Sequence, residues 1–522
     1  MCSIAGVVSK KEIDINKMID IQKHRAPDGS NFYYDKNIKM GMGRLKIIDL
    51  VSPGLCLYQE NDLILSYNGE IYNYIELRAE LKKLGVKFKT QSDTEVLLKS
   101  YQQWGIKALD KFNGMFAFAI YDKKKKKLIL ARDIAGEKPL YYYWKGNTFA
   151  FASEAKAFFG VLPLTQNKDI NFFEAFQHCH TTTLWNEVNE VPSANYLVYN
   201  VDNHKSIIKP YWELKPRDIN LKTADEELES LLDDSVRIRT RCDVPYALYF
   251  SGGLDSSIIS TFHDFDHKLF FNSKLEWKKD FMEKIKNIAW HLDFPVGSLS
   301  SFPLWKLAEK ASKNVKVVLS GEGADEIFGG YVRYLPIAQE YAMRSKFPSY
   351  NSYLFKKYFK YSDYIDSFSA ISARNKKYLG ITRDNLAPYF KMFDDPINAM
   401  GFADFKMIMP SLLQMGDRMS SAFGLENRCP FLDKRIIEFG FSLPPEYKIR
   451  GLEQKFLLRK IAAKRGLVNA LNMEKKGLIV VFNKWMKKED WNRSYYFNFL
   501  KNKSIKVQGN SNQKITNFRN IN

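Results

Sequence analysis

Cys2 carries a small side chain that permits removal of Met1, and removal would leave a thiol beside its own free α-amine. The amine titrates near ~8 and the thiol near ~8.5, so the amine can act as the thiol's general base without a separate histidine. The segment Tyr67-Asn68-Gly69-Glu70-Ile71-Tyr72-Asn73 follows an apolar run and offers the second requirement of acyl transfer. There a side-chain amide and a backbone N–H can both point at one oxygen, as a tetrahedral intermediate demands. Arg44 can hold a carboxylate, and Glu70 with Asp93 can hold an ammonium, so the three together would recognise an α-amino acid. Singly, each has a plainer reading: a cysteine early in a strand is usually core, and Asn-Gly commonly makes a hairpin turn.

A second group of residues suits phosphate chemistry. Ser251-Gly252-Gly253-Leu254-Asp255-Ser256-Ser257 begins where the apolar run Tyr246–Phe250 ends and a helix can start. Glycines let the backbone approach phosphates, and a helix start favours their negative charge. No GxxxxGK precedes a Ser or Thr, so this is not the phosphate loop of kinases and GTPases. Ser320-Gly321-Glu322-Gly323-Ala324-Asp325-Glu326 follows another apolar run, Val315–Leu319. Asp255 and Asp325, both at strand ends, could share a Mg²⁺ bound to pyrophosphate. Lys455 lies in Glu453–Arg459, which reads as a helix, and a lysine aimed at an activated acyl group would stabilise charge during transfer. Without context it is an exposed helical lysine among 79 Lys and Arg.

These residues need elements to position them. Short apolar or alternating runs at Ile4–Val8, Leu63–Tyr67, Met115–Tyr121, Leu128–Ala131, Leu140–Tyr143 and Phe149–Ala152 predict strands. Helical spacing covers Tyr74–Leu84 and Thr94–Trp104, so the part up to about residue 205 reads as stacked antiparallel sheets with helices outside. Asp202–Lys205 marks a turn, and a linker is expected to run to about Asp218. Beyond it, strand, Gly-rich turn and helix recur, the pattern of a parallel α/β sheet whose ligands bind past the carboxyl ends of its strands. After about Glu340 the chain reads as mostly helical, and the Asn-, Lys- and Ser-rich last two dozen residues as a polar tail.

The bulk composition narrows the class. With 522 residues, 45% hydrophobic and 26% charged, the chain is expected to fold as two or more globular units. No run approaches the roughly 18 apolar residues of a membrane span. The apolar start Ile4–Val8 is too short for a signal peptide, so a cytoplasmic enzyme is the expectation. The net charge of +20 admits nucleic acid as a partner, but no recognition motif supports it, and Lys123–Lys127 reads as a solvated hairpin turn. Five cysteines without a CxxC pair argue against a disulfide framework. Neither His178-Cys179-His180 nor the cluster His263, Asp264, Asp266 and His267 reads as a metal site.

Together the first motifs resemble a known family. Met1–Gly6, His24-Arg25-Ala26-Pro27-Asp28-Gly29, Tyr67–Asn73, Ser92-Asp93-Thr94-Glu95 and Gly114–Phe118 are similar, in order, to the class II glutamine amidotransferase domain. The resemblance implies an N-terminal αββα Ntn-hydrolase sandwich. It makes Cys2 the nucleophile, Asn68 and Gly69 the oxyanion hole, Arg44 the site of the glutamine carboxylate, and Glu70 and Asp93 the site of its amine. Ser251–Ser257 resembles the PP-loop of adenylating enzymes. With Leu319–Tyr331, Asp417-Arg418-Met419-Ser420, Gly424–Asp433 and the Lys455 segment, almost the whole chain resembles glutamine-hydrolysing asparagine synthetase.

That resemblance implies adenylation of aspartate by ATP with Mg²⁺ at Asp255 and Asp325, and phosphate contacts at Ser251, Gly252, Gly253, Asp255, Ser256, Ser320 and Gly321. Ammonia would arrive through an internal tunnel, Glu322 would position or deprotonate it, and Lys455 would support the adenylate. The division expected is 1–210 for the glutaminase, 211–500 for the synthetase with its helical C-terminal part, and 501–522 for a basic polar tail. A homodimer is what the family suggests. Three departures stand out: Ala26 replaces a usual Gly, the stretch from Ser257 to His291–Pro295 is short and shows no obvious adenine-contacting strand, and Phe294 and Ser298-Leu299 replace more polar residues. The last two predict an altered nucleotide or acceptor pocket or a weakened synthetase step. Amidation of a sugar acid or peptide, and a glutaminase or regulatory protein with a degenerate second half, are the alternative readings.

Overall fold

Alternation along two apolar strands builds the N-terminal part. In β1 (Ser3–Val8) Ile4 and Val8 enter one core while Ala5 and Val7 enter another on the opposite face. Successive side chains of a strand point to opposite sides, so a strand buried on both faces has to be apolar throughout. The computed structural model describes residues 1–36, 38–167, 181–270, 277–293, 300–347, 363–372 and 379–473. His178-Cys179-His180, Phe294-Pro295, Ser298-Leu299 and the tail 501–522 lie outside the described residues.

The strands that follow are β2 (Ser30–Tyr34), β3 (Ile38–Gly43), β4 (Tyr58–Glu60), β5 (Leu63–Ile71), β6 (Gly114–Asp122), β7 (Lys127–Arg132), β8 (Tyr141–Lys145), β9 (Thr148–Ala152), β10 (Val188–Glu190), β11 (Asn195–Asn200) and β12 (Ser206–Pro210). They form two six-stranded antiparallel sheets, β10-β8-β9-β1-β3-β2 and β12-β11-β7-β6-β5-β4. Ala117, Ala119 and Tyr121 of β6 meet Ile4 and Met42 of the facing sheet, whereas Phe116, Phe118 and Ile120 point outward. Helix α1 (Ile15–Ile21) covers the first sheet, and α2 (Tyr74–Lys83) and α3 (Asp93–Trp104) cover the second. The layers are therefore helix, sheet, sheet, helix. The lysine run forms the β6–β7 hairpin turn, and Asp202–Lys205 turns β11 into β12.

The C-terminal part is built on a four-stranded parallel sheet. Its strands β13 (Tyr246–Phe250), β14 (His267–Phe270), β15 (Val317–Leu319) and β16 (Glu426–Arg428) lie in the order β14-β13-β15-β16. Registers of Tyr246 with Val317 and of Val317 with Glu426 bring the carboxyl ends of three strands out side by side. β14 corrects the expectation that the shortened stretch holds no strand: His267–Phe270 pairs in parallel with Ala247–Phe250 at the sheet edge. Helices Ala224–Arg239, Pro396–Met407 and Met409–Ser421 pack around the sheet, and helices dominate from Leu335 onward. Among the described residues no helix is long and apolar enough to cross a membrane.

Candidate functional site

The Tyr67–Ile71 part of the first motif is strand, and the turn falls only at Tyr72-Asn73. Asn68 and Gly69 lie inside β5, with Gly69 opposite Phe116 of β6. Gly69 has φ +145°, and a Cβ there would come within 2.1 Å of the Met115 carbonyl oxygen. Glycine is thus required by close approach of two strands rather than by a tight turn. Asn68 is fully buried, and its Oδ1 accepts the Cys2 backbone N–H at 2.9 Å. Its Nδ2 has no hydrogen-bond partner among the described residues. Leaving a buried donor unpaired costs about 1–3 kcal/mol, which an oxyanion placed against it would offset.

The other N-terminal candidates gather around the same point. The Cys2 thiol faces the Leu45 carbonyl at 4.0 Å. Arg44 is anchored through Nη2, which donates to the carbonyls of Ile48 and Asp49 at 3.0 and 2.8 Å. Asp93, the first residue of α3, accepts from Tyr67 Oη at 2.8 Å and from the Ile71 N–H at 3.1 Å, tying the helix to β5. Burial outweighs these bonds and raises the Asp93 pKa above the usual carboxylate range. Glu70 is raised further by burial, then by Asp93 and Glu426. Buried carboxylates crowded in this way favour a cation between them. In this chain the Met1 ammonium lies 3.9 Å from Glu426, and burial lowers that amine to about 6. Burial also pushes the Cys2 thiol up, opposed by the adjacent ammonium and by Arg44.

At the ends of the parallel strands the second group assembles. Gly252 turns with φ +77° after β13, and Ser251 and Ser256 bond each other through their hydroxyls at 3.1 Å. Ser256 also accepts the Ser251 N–H at 3.2 Å, closing the loop on itself. Gly321 packs beside Asp255, where an added Cβ would sit 3.0 Å from the Asp255 Cβ. Lys455 is not on a helix; it caps the helix Phe456–Lys464 in a left-handed conformation with φ +53° and is buried. Its Nζ lies 2.7 Å from Asp255 Oδ1 and 2.7 Å from Asp325 Oδ1. Burial opposes its charge, but the two carboxylates together hold its pKa above the ordinary lysine range. Glu322 accepts from the Ser320 hydroxyl and, at 3.3 Å, from Asn427 Nδ2.

β16 separates the two groups and touches both. Glu426 and Arg428 project toward the N-terminal sheets, where Arg428 Nη2 approaches Glu70 Oε1 at 3.4 Å. Asn427 and Cys429 project the other way, toward Glu322. The motif Gly424–Asp433 by itself gives none of these residues a role; the period of two along a strand is the signal that sorts them. A buried ionic cluster closes the same boundary. Arg25 grips Asp417 at 2.8 and 3.1 Å and Glu154 at 2.8 Å, while Arg418 pairs with Glu154 at 3.3 Å. Asp417-Arg418 thus fastens the helix Met409–Ser421 to the His24–Gly29 segment.

No group of three or more metal-ligating side chains occurs among the described residues. Asp255 and Asp325 remain as two partly exposed carboxylates converging on one cation, the number Mg²⁺ commonly takes from protein when phosphate oxygens supply the rest.

Residues 1–212 match a family described as glutamine amidotransferase domain, and residues 227–276 and 271–495 match one described as asparagine synthase. The chain is 36% identical over 397 residues to a putative glutamine-hydrolysing asparagine synthetase 2 of Methanocaldococcus jannaschii, covering 64% of this chain and 76% of that one. It is 32% identical to glutamine-hydrolysing asparagine synthetase 1 of Bacillus subtilis, covering 95% of this chain and 89% of that one. Among solved structures, glutamine phosphoribosylpyrophosphate amidotransferase from B. subtilis aligns with TM-score 0.31 at 17% identity, over 53% of this chain and 67% of that one.

Proposed function

The chain belongs to the glutamine-hydrolysing asparagine synthetase family, and from that premise we propose that it makes asparagine from aspartate, glutamine and ATP. The observation that carries the reading is the buried Asn68 Nδ2, unpaired among the described residues, beside Cys2 in a pocket crowded with carboxylates. With Met1 removed, the Cys2 amine becomes the chain's free amine beside the thiol, and its neutral form serves as the base. It takes the thiol proton, the sulfur attacks the glutamine amide carbon, and the same proton leaves on ammonia. Asn68 and Gly69 hold the oxyanion, Arg44 the α-carboxylate, and Glu70 with Asp93 the α-ammonium. Water then cleaves the thioester to glutamate.

In the second half, the aspartate β-carboxylate attacks the α-phosphorus of ATP and expels pyrophosphate. The Ser251–Ser257 loop with Ser320 and Gly321 cradles the leaving phosphates. Asp255 and Asp325 would hold Mg²⁺, which supplies charge neutralisation for pyrophosphate, and Lys455 stabilises the acyl-adenylate. Ammonia attacks the acyl carbon, Glu322 accepts the proton it loses, and AMP departs. The presence of β14 beside β13 supports a working nucleotide end despite the shortened stretch. The division proposed is residues 1–210 for glutamine hydrolysis and 211–500 for synthesis, with 501–522 as a tail.

A Cys2→Ala variant tests the scheme. It is expected to lose glutamine-dependent synthesis and keep synthesis from added ammonia. Loss of both, or glutamine use that survives, would overturn the two-site reading.

A further inference from the structure

The loop that holds Arg44 is itself held from outside the N-terminal part. Arg44 Nη2 donates to the carbonyls of Ile48 and Asp49, and the Leu45 carbonyl faces the Cys2 thiol, so residues 45–49 shape the surroundings of both groups. Asp49 is the hub of this loop. It is buried and left-handed, with φ +56°, a conformation that a side chain keeps only where its surroundings fix it. Its Oδ1 accepts the Ser52 N–H at 2.9 Å and its Oδ2 accepts the Gln91 N–H at 2.7 Å, which ties the loop to the chain just before α3. The Asp49 backbone N–H goes to the other half of the protein.

Its acceptor is Asp243, 194 residues away in the bend that leads into β13. Asp243 Oδ2 accepts the Asp49 N–H at 2.8 Å, and the Asp243 N–H donates to the Ile47 carbonyl at 2.9 Å. The two bonds flank Ile48, whose carbonyl is one of the pair that Arg44 uses. The Asp243 residue is exposed, but the backbone that carries it is pinned. Arg241 donates through Nη1 to the Tyr72 carbonyl at 2.6 Å and pairs with Glu76 of α2 at 2.6 Å. Arg428 of β16 donates through Nη1 to the carbonyls of Arg239 and Arg241, at 2.9 Å each. Residues 239–243 are thus fastened to both halves, and Asp243 stands on them as a fixed post against the Arg44 loop.

We propose that Asp243, a residue of the half that forms the amide, is a positioning residue for glutamine, holding the Ile48 and Asp49 carbonyls where Arg44 needs them. The proposal rests on the reading that Arg44 takes the glutamine α-carboxylate beside Cys2. An aspartate suits this post because its carboxylate is a strong acceptor for the Asp49 N–H while its own backbone makes the second bond. Without the side chain, the Asp49 N–H turns to water, the left-handed bend relaxes and the guanidinium loses its aim. Weakening a binding contact in this way raises KM and leaves the chemistry at Cys2 intact.

The test is glutamate release by the full chain as a function of glutamine, beside the rate at which iodoacetamide alkylates Cys2, followed by mass spectrometry. Iodoacetamide has no carboxylate for Arg44 and therefore reads the thiol alone. Asp243→Ala should raise KM for glutamine about tenfold, with kcat and the Cys2 alkylation rate within about twofold of wild type. Asp243→Asn, whose Oδ1 still accepts the Asp49 N–H, should keep KM within about threefold. Both variants should melt within about 5 °C of wild type, since the substituted side chain is exposed. A KM for glutamine within about twofold of wild type in Asp243→Ala overturns the proposal. So does a rise in KM matched by an equal change in Cys2 alkylation, or one that Asp243→Asn reproduces in full. Wild-type protein that releases no glutamate from glutamine overturns instead the reading on which the proposal rests.

Discussion

Replacing Asn68 by aspartate separates two duties of one side chain. Its Oδ1 accepts the Cys2 N–H at 2.9 Å, and its Nδ2 is buried without a partner among the described residues. Aspartate keeps an oxygen for the amine and removes the side-chain donor that Asn68 offers an oxyanion. Loss of one such donor lowers kcat by about 10²–10³, equivalent to about 2.7–4 kcal/mol of transition-state stabilisation. The added negative charge beside Glu70, Asp93 and Glu426 also favours the protonated amine, so the acid limb of the pH profile moves upward. Asn68→Ala removes both duties and should cost at least as much. The assay is glutamate release at saturating glutamine, run beside asparagine formation from ammonia in the same preparation. The ammonia reaction should be unaffected, because it does not use Cys2. Glutamate release within about threefold of wild type in Asn68→Asp would refute the oxyanion assignment, since that loss is too small for a transition-state donor.

Three other outcomes are expected. Gly69→Ala forces a Cβ to 2.1 Å from the Met115 carbonyl at a backbone angle that side chains avoid, so it should destabilise the protein by about 3 kcal/mol or more, read as a lower thermal midpoint. Arg25→Met takes the two-point partner from the buried Asp417, leaving it Arg418 at 3.2 Å, and should cost about 3–5 kcal/mol in chemical denaturation, whereas Arg25→Met with Asp417→Leu should recover part of it. Glutaminase kcat/KM should fall as pH drops below neutral, because the N-terminal amine of Cys2 becomes protonated. Only the neutral Cys2 amine can take the thiol proton, so the activity follows deprotonation of that amine.

Much of the fold is legible in the sequence because its strands are apolar on both faces. The runs at Ile4–Val8 and Met115–Tyr121 fall inside β1 and β6, and α2 and α3 start within a residue of the positions their spacing predicts. β2 and β3 escape the same reading. Ser30–Tyr34 is exposed and polar at its start, and Gly41 and Gly43 break the apolar pattern of Ile38–Gly43. β14 escapes because His267-Lys268 opens a strand of only four residues at a sheet edge.

The site residues were legible by type, but two conformations were not. Asn68-Gly69 has the composition of a turn, yet pairing with β6 draws it into a strand. Lys455 sits in a helix-like sequence, yet it is held left-handed and buried by two carboxylates distant in sequence. Contacts such as Arg25 with Asp417, 392 residues apart, follow only from tertiary packing. So does the sorting of Glu426 and Arg428 from Asn427 and Cys429 across β16.

The account is tested most directly by the product balance of the unmodified enzyme. Given glutamine, ATP, Mg²⁺ and aspartate, it should form asparagine, AMP and pyrophosphate in equal amounts, with at least as much glutamate. Glutamate release without AMP, or AMP formation only with an acid other than aspartate, would contradict it.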